Sequence, residues 1–150
     1  KIFIQDKEIK KAIPGDNLYL YLQGLKKGLV KRGDMITLAK NPPLITKKFR
    51  AQIITFGLSQ NIKSGFKFVF EMLTEETPAV IEKIIRKIDT TTGATIKGKK
   101  LSDNEAGEVI ITSKKPIFIE AQSQLPPLAC FHLKAKEKII GMGICLEVLA

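Results

Sequence analysis

Few residues of this chain have the types and spacing that catalysis or metal binding requires. Cys130 and Cys145, the two cysteines, are too far apart for a CxxC pair that would hold zinc or exchange electrons. We therefore expect free thiols, as in a reducing compartment. His132 is the single histidine, and no GxSxG nucleophile elbow accompanies it. These residues predict neither a metal site nor a catalytic site.

One stretch comes close to a phosphate-binding loop. Residues 93–100 read Gly-Ala-Thr-Ile-Lys-Gly-Lys-Lys. A P-loop needs Ser or Thr after its Gly-Lys pair, to place a hydroxyl on Mg²⁺, and a helix that begins there. Lys100 occupies that position, and no helix signal follows it. We interpret the stretch as a basic turn that does not bind a nucleotide.

The charge of the chain favours an acidic partner. It has 25 Lys and Arg against 15 Asp and Glu, a net charge of +10, and the usual partners of such a protein are RNA, DNA or an anionic membrane face. The basic residues are spread over many turns, so well-hydrated loops are the plain alternative. No apolar run approaches the ~18 residues that a membrane span needs, so we expect no membrane partner.

The elements that must position any site are predicted to be strands. Short apolar segments alternate with turn signals every 8–12 residues or so, which is typical of a β-sandwich or β-barrel. The predicted strands are Leu18–Leu22, Met35–Leu38, Phe49–Phe56, Phe66–Leu73, Val80–Ile88, Glu108–Thr112, Ile117–Ala121, Cys130–Lys134 and Lys138–Leu149. Residues 79–88 are ambiguous, because apolar residues at 81, 84, 85 and 88 follow helical spacing and locally favour a helix. The phenylalanines are predicted to fill the core, with a base-stacking platform as the alternative.

Taken together, several segments resemble the β-barrel region of translational GTPases. That family includes elongation factor 1 alpha, the GTPase subunit of the eukaryotic release factor, and the ribosome-rescue GTPase that works with Pelota. The segments occur in the order and spacing of the family and are Ala12-Ile13-Pro14-Gly15-Asp16-Asn17, Val30-Lys31-Arg32-Gly33-Asp34, Asn41-Pro42-Pro43, Phe49-Arg50-Ala51-Gln52-Ile53-Ile54, Ile62-Lys63-Ser64-Gly65-Phe66, Asp89-Thr90-Thr91-Thr92-Gly93, Gln124-Leu125-Pro126-Pro127-Leu128 and Ile140-Gly141-Met142-Gly143-Ile144.

The resemblance implies an all-β protein with a closed antiparallel Greek-key β-barrel. Residues 1–43 are expected to be the C-terminal half of the family's middle barrel, and residues 44–150 its C-terminal barrel. The same resemblance implies that residues 79–88 form a strand. We expect the chain to be a cytoplasmic fragment without the GTPase domain, so that it holds no cofactor itself and GTP and Mg²⁺ belong to the parent protein.

The branch of the family decides the expected partner. Leu73-Thr74 replaces the His-Thr pair of elongation factors, whereas Thr77-Pro78-Ala79-Val80-Ile81 is closer to the rescue GTPase. The release-factor docking stretch Gly-Arg-Phe-Thr-Leu-Arg-Asp aligns with Ala129-Cys130-Phe131-His132-Leu133-Lys134-Ala135.

We therefore expect a docking module of termination or ribosome rescue. Its expected partners are a Pelota or release-factor type protein, the ribosome and, in one alternative, tRNA. The predicted contact residues are Phe131, Leu133 and Lys134, with Lys47, Lys48 and Arg50 as electrostatic steering residues. Two alternatives remain: a carrier of aminoacyl-tRNA of the elongation factor 1 alpha type, and a standalone basic β-barrel that binds RNA.

Overall fold

The computed structural model describes residues 1–40, 42 and 44–149. The chain forms two compact units, Lys1–Asp34 and Met35–Ala150. The predicted linker Asn41-Pro42-Pro43 lies mostly outside the described residues, and the assignment of residues 1–43 to a second barrel stays a prediction.

The first unit is a small antiparallel sheet. Strand β1 (Ile2–Ile4) lies between β2 (Lys7–Ile9) and β3 (Tyr19–Leu20). The predicted strand at 18–22 is thus present over two residues, whereas the one predicted at 35–38, in the second unit, is wrong because that stretch has no strand pairing. None of residues 1–34 is buried, so this unit has no hydrophobic core of its own.

The second unit is a closed barrel of six long strands. They are β4 (Ile45–Thr55), β6 (Phe66–Met72), β7 (Glu75–Ile88), β10 (Ala106–Phe118), β11 (Cys130–Ala135) and β12 (Lys138–Leu149). The neighbours run in the order β10-β4-β12-β11-β6-β7, and β7 pairs with β10 to close the ring. All these pairs are antiparallel, and the chain skips neighbours between β4 and β6 and again between β10 and β11, as in a Greek key. The predicted all-β closed barrel is confirmed.

Three short strands and one helical turn complete this unit. Strand β5 (Ile62–Lys63) pairs with β9 (Lys100–Leu101), and β8 (Thr95–Ile96) extends the barrel sheet beside β7. A single 3-10 turn at Pro126–Leu128 leads into β11. Among the described residues, no helix is long and apolar enough to cross a membrane.

The barrel core is built around aromatic side chains, as predicted. Phe49, Phe70 and Phe131 form a cluster with ring centroids 5.0–5.8 Å apart. Such aromatic pairs contribute about 0.5–1.5 kcal/mol each beyond the apolar area that they bury. Because these rings and Phe68 are buried, they are unavailable for base stacking.

The local helix prediction for residues 79–88 is wrong, since all ten residues belong to strand β7. Ile81 and Ile84 both point inward, although a regular strand would put residues three apart on opposite faces. The pairing of β7 with β10 shifts register between these two residues, as at a β-bulge. The bulge creates the three-residue spacing that resembles a helix.

Candidate partner-docking surface

The side chains of strand β11 alternate between the core and the outside of the barrel. Phe131 and Leu133 point inward and are buried, whereas Cys130, His132 and Lys134 point outward. The prediction that Phe131 and Leu133 contact a partner is therefore corrected, because neither can reach one while the barrel is folded. The outward face of the strand is the part available for docking.

The two buried residues fix the position of that face. The ring of Phe131 stacks on Phe70 at 5.0 Å and meets Phe49 edge-on at 5.5 Å. Its other neighbour is Gly143 on the paired strand β12, where an added Cβ would lie 2.2 Å from the ring. Phe131 thus fills the space that the missing side chain of Gly143 leaves, and it holds β11 against β12.

The outward side chains border a patch of exposed apolar residues. Ile54 on β4 lies opposite Met142 on β12, which in turn lies opposite His132 on β11. Ile54 and Met142 are both exposed, and with Cys130 and Ile144 they line a shallow groove of about 190 Å³. We call His132 and these four neighbours the β11 surface, namely Ile54, Cys130, His132, Met142 and Ile144.

Carboxylates border the β11 surface on the side of strands β6 and β7. Glu71 Oε2 lies 3.3 Å from His132 Nδ1, and Glu71 Oε1 lies 3.3 Å from Lys134 Nζ. Lys134 also donates to Glu76, and this hydrogen bond raises the pKa of Lys134 and lowers that of Glu76. Glu75 adjoins Glu76 in the sequence. We call Glu71, Glu75 and Glu76 the acidic rim, because their three negative charges outnumber the positive charge of Lys134.

Lys134 therefore acts differently from the prediction. Its ammonium group is held between Glu71 and Glu76, so it links β11 to β6 and β7. Reversal of its charge would place three carboxylates together and disturb the sheet, because like charges on neighbouring strands repel. Lys134 is better described as a residue that positions the acidic rim than as a free contact.

The predicted steering residues lie elsewhere on the barrel. Strand β12 lies between the two groups: Arg50 lies opposite Glu147 of this strand, and Lys134 lies opposite Ile139. Eight residues of extended strand separate the two positions, roughly 26 Å at the usual rise per residue. Lys47 and Lys48 precede Arg50 on β4 and lie at least as far from Lys134 as Arg50 does. The structure thus does not bring the six predicted residues into one surface.

Two of these basic residues are engaged in ion pairs. Lys48 Nζ lies 2.7 Å from Glu82 Oε1, and Lys47 is exposed. Arg50 donates to Glu108 at 2.7 Å, and Arg86 donates to the other oxygen of the same carboxylate at 2.7 Å. Glu108 is only 2% exposed, so the two guanidinium groups neutralise a buried charge. Arg50 stabilises the joint between β4, β7 and β10.

Sequence reasoning missed Cys130, His132 and Met142, although a signal for the first two was present. Phe131 and Leu133 are apolar residues two positions apart. In a barrel strand such alternation puts these two side chains in the core and those of Cys130 and His132 on the outer face. Ile54 and Met142 gave no such signal, because their proximity to His132 depends on which strands are neighbours.

Comparison with known proteins identifies the domain. The family described as GTP-eEF1A C-terminal domain-like matches residues 48–146. Elongation factor 1-alpha of Methanospirillum hungatei is 29% identical over 150 residues, which is 99% of this chain and 35% of that protein. The protein of the same name from Methanothrix thermoacetophila is 32% identical, with 98% and 35% covered.

The fold of a solved structure agrees with this match. The crystal structure of Sup35 complexed with GMPPNP superposes with a TM-score of 0.87 and 23% identity, over 99% of this chain and 37% of that one. The chain thus spans about a third of the length of the relatives that it matches.

Proposed function

The chain belongs to the GTP-eEF1A C-terminal domain-like family, and on that premise we propose that it is the docking region of a translational GTPase that acts in translation termination or ribosome rescue. In this proposal the chain contributes binding, not catalysis. Its barrel holds a tRNA-shaped protein of the Pelota or release-factor type against the GTPase domain of the parent protein. The parent works on the ribosome in the cytoplasm.

The observation that carries this proposal is the chemistry of the β11 surface. Exposed Ile54 and Met142 offer apolar area to a partner, and the acidic rim of Glu71, Glu75 and Glu76 lies beside them. Apolar residues surrounded by charged ones are typical of a protein interface. A carboxylate rim repels the phosphates of tRNA, so the surface favours a protein partner with basic side chains.

GTP and Mg²⁺ belong to the parent protein in this proposal. Residues 93–100 do not fit these groups, since they form a turn and the short strands β8 and β9 and lead into no helix. Gly93 closes the turn after Asp89 with a φ of 72°, and Lys100 is paired in β9. Residues 93–100 therefore supply no step of GTP hydrolysis in this proposal.

A carrier of aminoacyl-tRNA is the second candidate. The observation in its favour is that the curated relatives described above are named elongation factor 1-alpha. The turn after strand β6 weighs against it, because by the resemblance Leu73 stands where elongation factors have His. Family membership also weighs against the third alternative, a basic barrel unrelated to GTPases.

Binding of the parent protein to both kinds of partner tests the proposal. We would titrate it with a Pelota or release-factor type protein and with aminoacyl-tRNA, each at two salt concentrations. We expect tight binding of the protein partner that changes much less with salt than binding of tRNA would, because apolar contacts dominate it and the acidic rim adds only a few charge contacts. Binding of tRNA alone, with a steep salt dependence, would favour the carrier instead.

A matched pair of variants localises the interface. Ile54→Glu puts a charge into the β11 surface, and Ile85→Glu puts one on β7, where Ile85 is 40% exposed against 41% for Ile54. We expect Ile54→Glu to weaken binding of the protein partner by at least about tenfold, as at the centre of an interface. Ile85→Glu is expected to bind normally. Equal affinities of the two variants would exclude the β11 surface.

A further inference from the structure

Two lysines face each other directly on the short ribbon formed by strands β5 and β9. Lys63 is the cross-strand partner of Lys100, and Ile62 is the partner of Leu101. Ile62 and Leu101 are fully buried and anchor the ribbon, whereas both lysines are exposed. Like charges directly opposite each other destabilise an antiparallel pair. The fold thus keeps two positive charges together at a cost in stability.

The adjoining loop adds further lysines to this pair. Lys97 and Lys99 flank Gly98, and with Lys63 and Lys100 they border a concave surface of about 460 Å³. Lys87 lies at its base and packs against Gly98, where an added Cβ would lie 2.4 Å from its side chain. We call Lys63, Lys97, Lys99 and Lys100 the lysine cluster.

The base of the lysine cluster is fixed by an ion pair. Lys87 Nζ lies 2.6 Å from Glu105 Oε1, and the backbone N–H of Ser102 donates to the other oxygen of that carboxylate. The hydrogen bond from Lys87, then that from Ser102, lowers the pKa of Glu105, and the nearby charge of Lys100 adds to the effect. Glu105 is therefore already engaged below the cluster.

The charges of the cluster differ from those on the barrel wall. There, basic residues of β4, β7 and β11 meet carboxylates within 3.3 Å. None of the four lysines in the cluster forms an ion pair with any of the residues that the structure describes. Four exposed ammonium groups around one concavity create a positive potential that an anion would relieve.

We propose that the lysine cluster binds the phosphate backbone of double-helical RNA without regard to sequence. Ammonium groups act as point charges that suit phosphates, and the concavity is lined by lysines and Gly98 with no aromatic ring for stacking on single-stranded bases. Double-helical RNA offers phosphates at regular intervals and hides its base edges. This RNA contact is separate from the β11 surface and adds to the docking of a protein partner.

The dependence of RNA affinity on salt is the measurement that tests this proposal. The probe is a 20-base-pair RNA duplex of arbitrary sequence, titrated with the whole chain at 50 and 200 mM salt. Four lysine–phosphate contacts predict a fall in affinity of roughly 50–150-fold between these concentrations. The variant Lys97→Gln/Lys99→Gln retains two contacts, so the fall should shrink to roughly 7–12-fold.

A control variant that also removes two positive charges distinguishes the effect of the lysine cluster from the effect of the net charge of the protein. Lys114→Gln/Lys115→Gln removes two exposed lysines from the second unit, and we expect it to keep nearly the wild-type salt dependence. Circular dichroism should show that both variants are folded, since all four positions are exposed.

Three results would overturn the proposal. The first is equal RNA affinity of the cluster variant and the wild type, and the second is an equal loss in both double variants. The third is binding of polyglutamate of matched charge as tight as that of the duplex, which would indicate an acidic polypeptide as the ligand. The duplex contains no protein partner, so failure here leaves the test of the β11 surface unaffected.

Discussion

Substitution of Gly143 by Ala tests whether the aromatic core sets the position of strand β11. An added Cβ would lie 2.2 Å from Cζ and 2.7 Å from Cε2 of Phe131, well inside van der Waals contact. The ring cannot move away easily, because Phe49 and Phe70 pack against it at 5.5 and 5.0 Å. We therefore expect Gly143→Ala to strain the core.

The expected magnitude is the difference between two effects. Overpacking of a well-filled core costs about 1–3 kcal/mol. The backbone of Gly143 lies outside the left-handed region, so Ala can adopt it and should recover about 0.4–1 kcal/mol by restricting the unfolded chain. The difference between these ranges is a loss of about 0–2.6 kcal/mol in the free energy of unfolding, centred on about 1.3 kcal/mol.

Urea denaturation with a double-mutant cycle measures this loss. Phe131→Leu shortens the opposing side chain, so the pair Gly143→Ala/Phe131→Leu should be more stable than the sum of the single changes predicts, by about 1 kcal/mol. Gly98→Ala is the comparison outside the aromatic core, because its added Cβ would meet Cδ of Lys87, which can turn aside only by disturbing its ion pair with Glu105. Gly98→Ala should therefore cost at most about 1 kcal/mol, the upper value for an ion pair near the surface, and should show no coupling to Phe131→Leu. A stabilising Gly143→Ala, or additive effects in the cycle, would refute the argument.

Three further predictions concern charges and thiols. The pKa of Glu105 is lowered because Lys87 donates a hydrogen bond to its carboxylate. The stability that this carboxylate contributes is therefore present above its unfolded pKa near 4.5 and is lost as the pH falls below that value. Glu105→Gln should accordingly flatten the decline of the urea midpoint between about pH 5 and 3. Burial raises the pKa of Cys145 to about 11, whereas Cys130 is exposed, so Ellman's reagent should titrate one thiol in the native chain and two in urea; two native thiols would contradict the buried position. Glu108→Ala should cost about 2–3 kcal/mol in urea denaturation, less than for a fully buried pair because both arginine partners reach solvent; an unchanged midpoint would contradict the ion-pair argument.

The sequence predicts the barrel well wherever its strands are regular. Phe66–Leu73 and Cys130–Lys134 were expected within one residue of the ends of β6 and β11. The predictions fail where the register changes. Strand β10 was expected as two strands, Glu108–Thr112 and Ile117–Ala121, because the irregularity between Thr112 and Ile117 interrupts its alternation. A bulge in β7 produced the helical spacing in the same way.

The candidate surface was predictable only in part, because half of it depends on strand order. Alternation along β11 determines that His132 faces outward once the strand is recognised. The approach of Ile54 to Met142 depends on β12 lying between β4 and β11, although β4 precedes them by more than 70 residues. Pairing of strands so distant in sequence is not encoded by any local pattern.

The sign of the local charge also depends on register and not on composition. A net charge of +10 predicts an acidic partner for the chain as a whole. Yet the exposed apolar residues Ile54 and Met142 lie beside an acidic rim, because pairing of β6 with β7 brings Glu71 opposite Glu76. Pairing of β5 with β9 brings Lys63 opposite Lys100 by the same mechanism. One basic chain can therefore carry an acid-bordered surface and a separate lysine-bordered surface, which suit the protein and the double-helical RNA proposed above as partners.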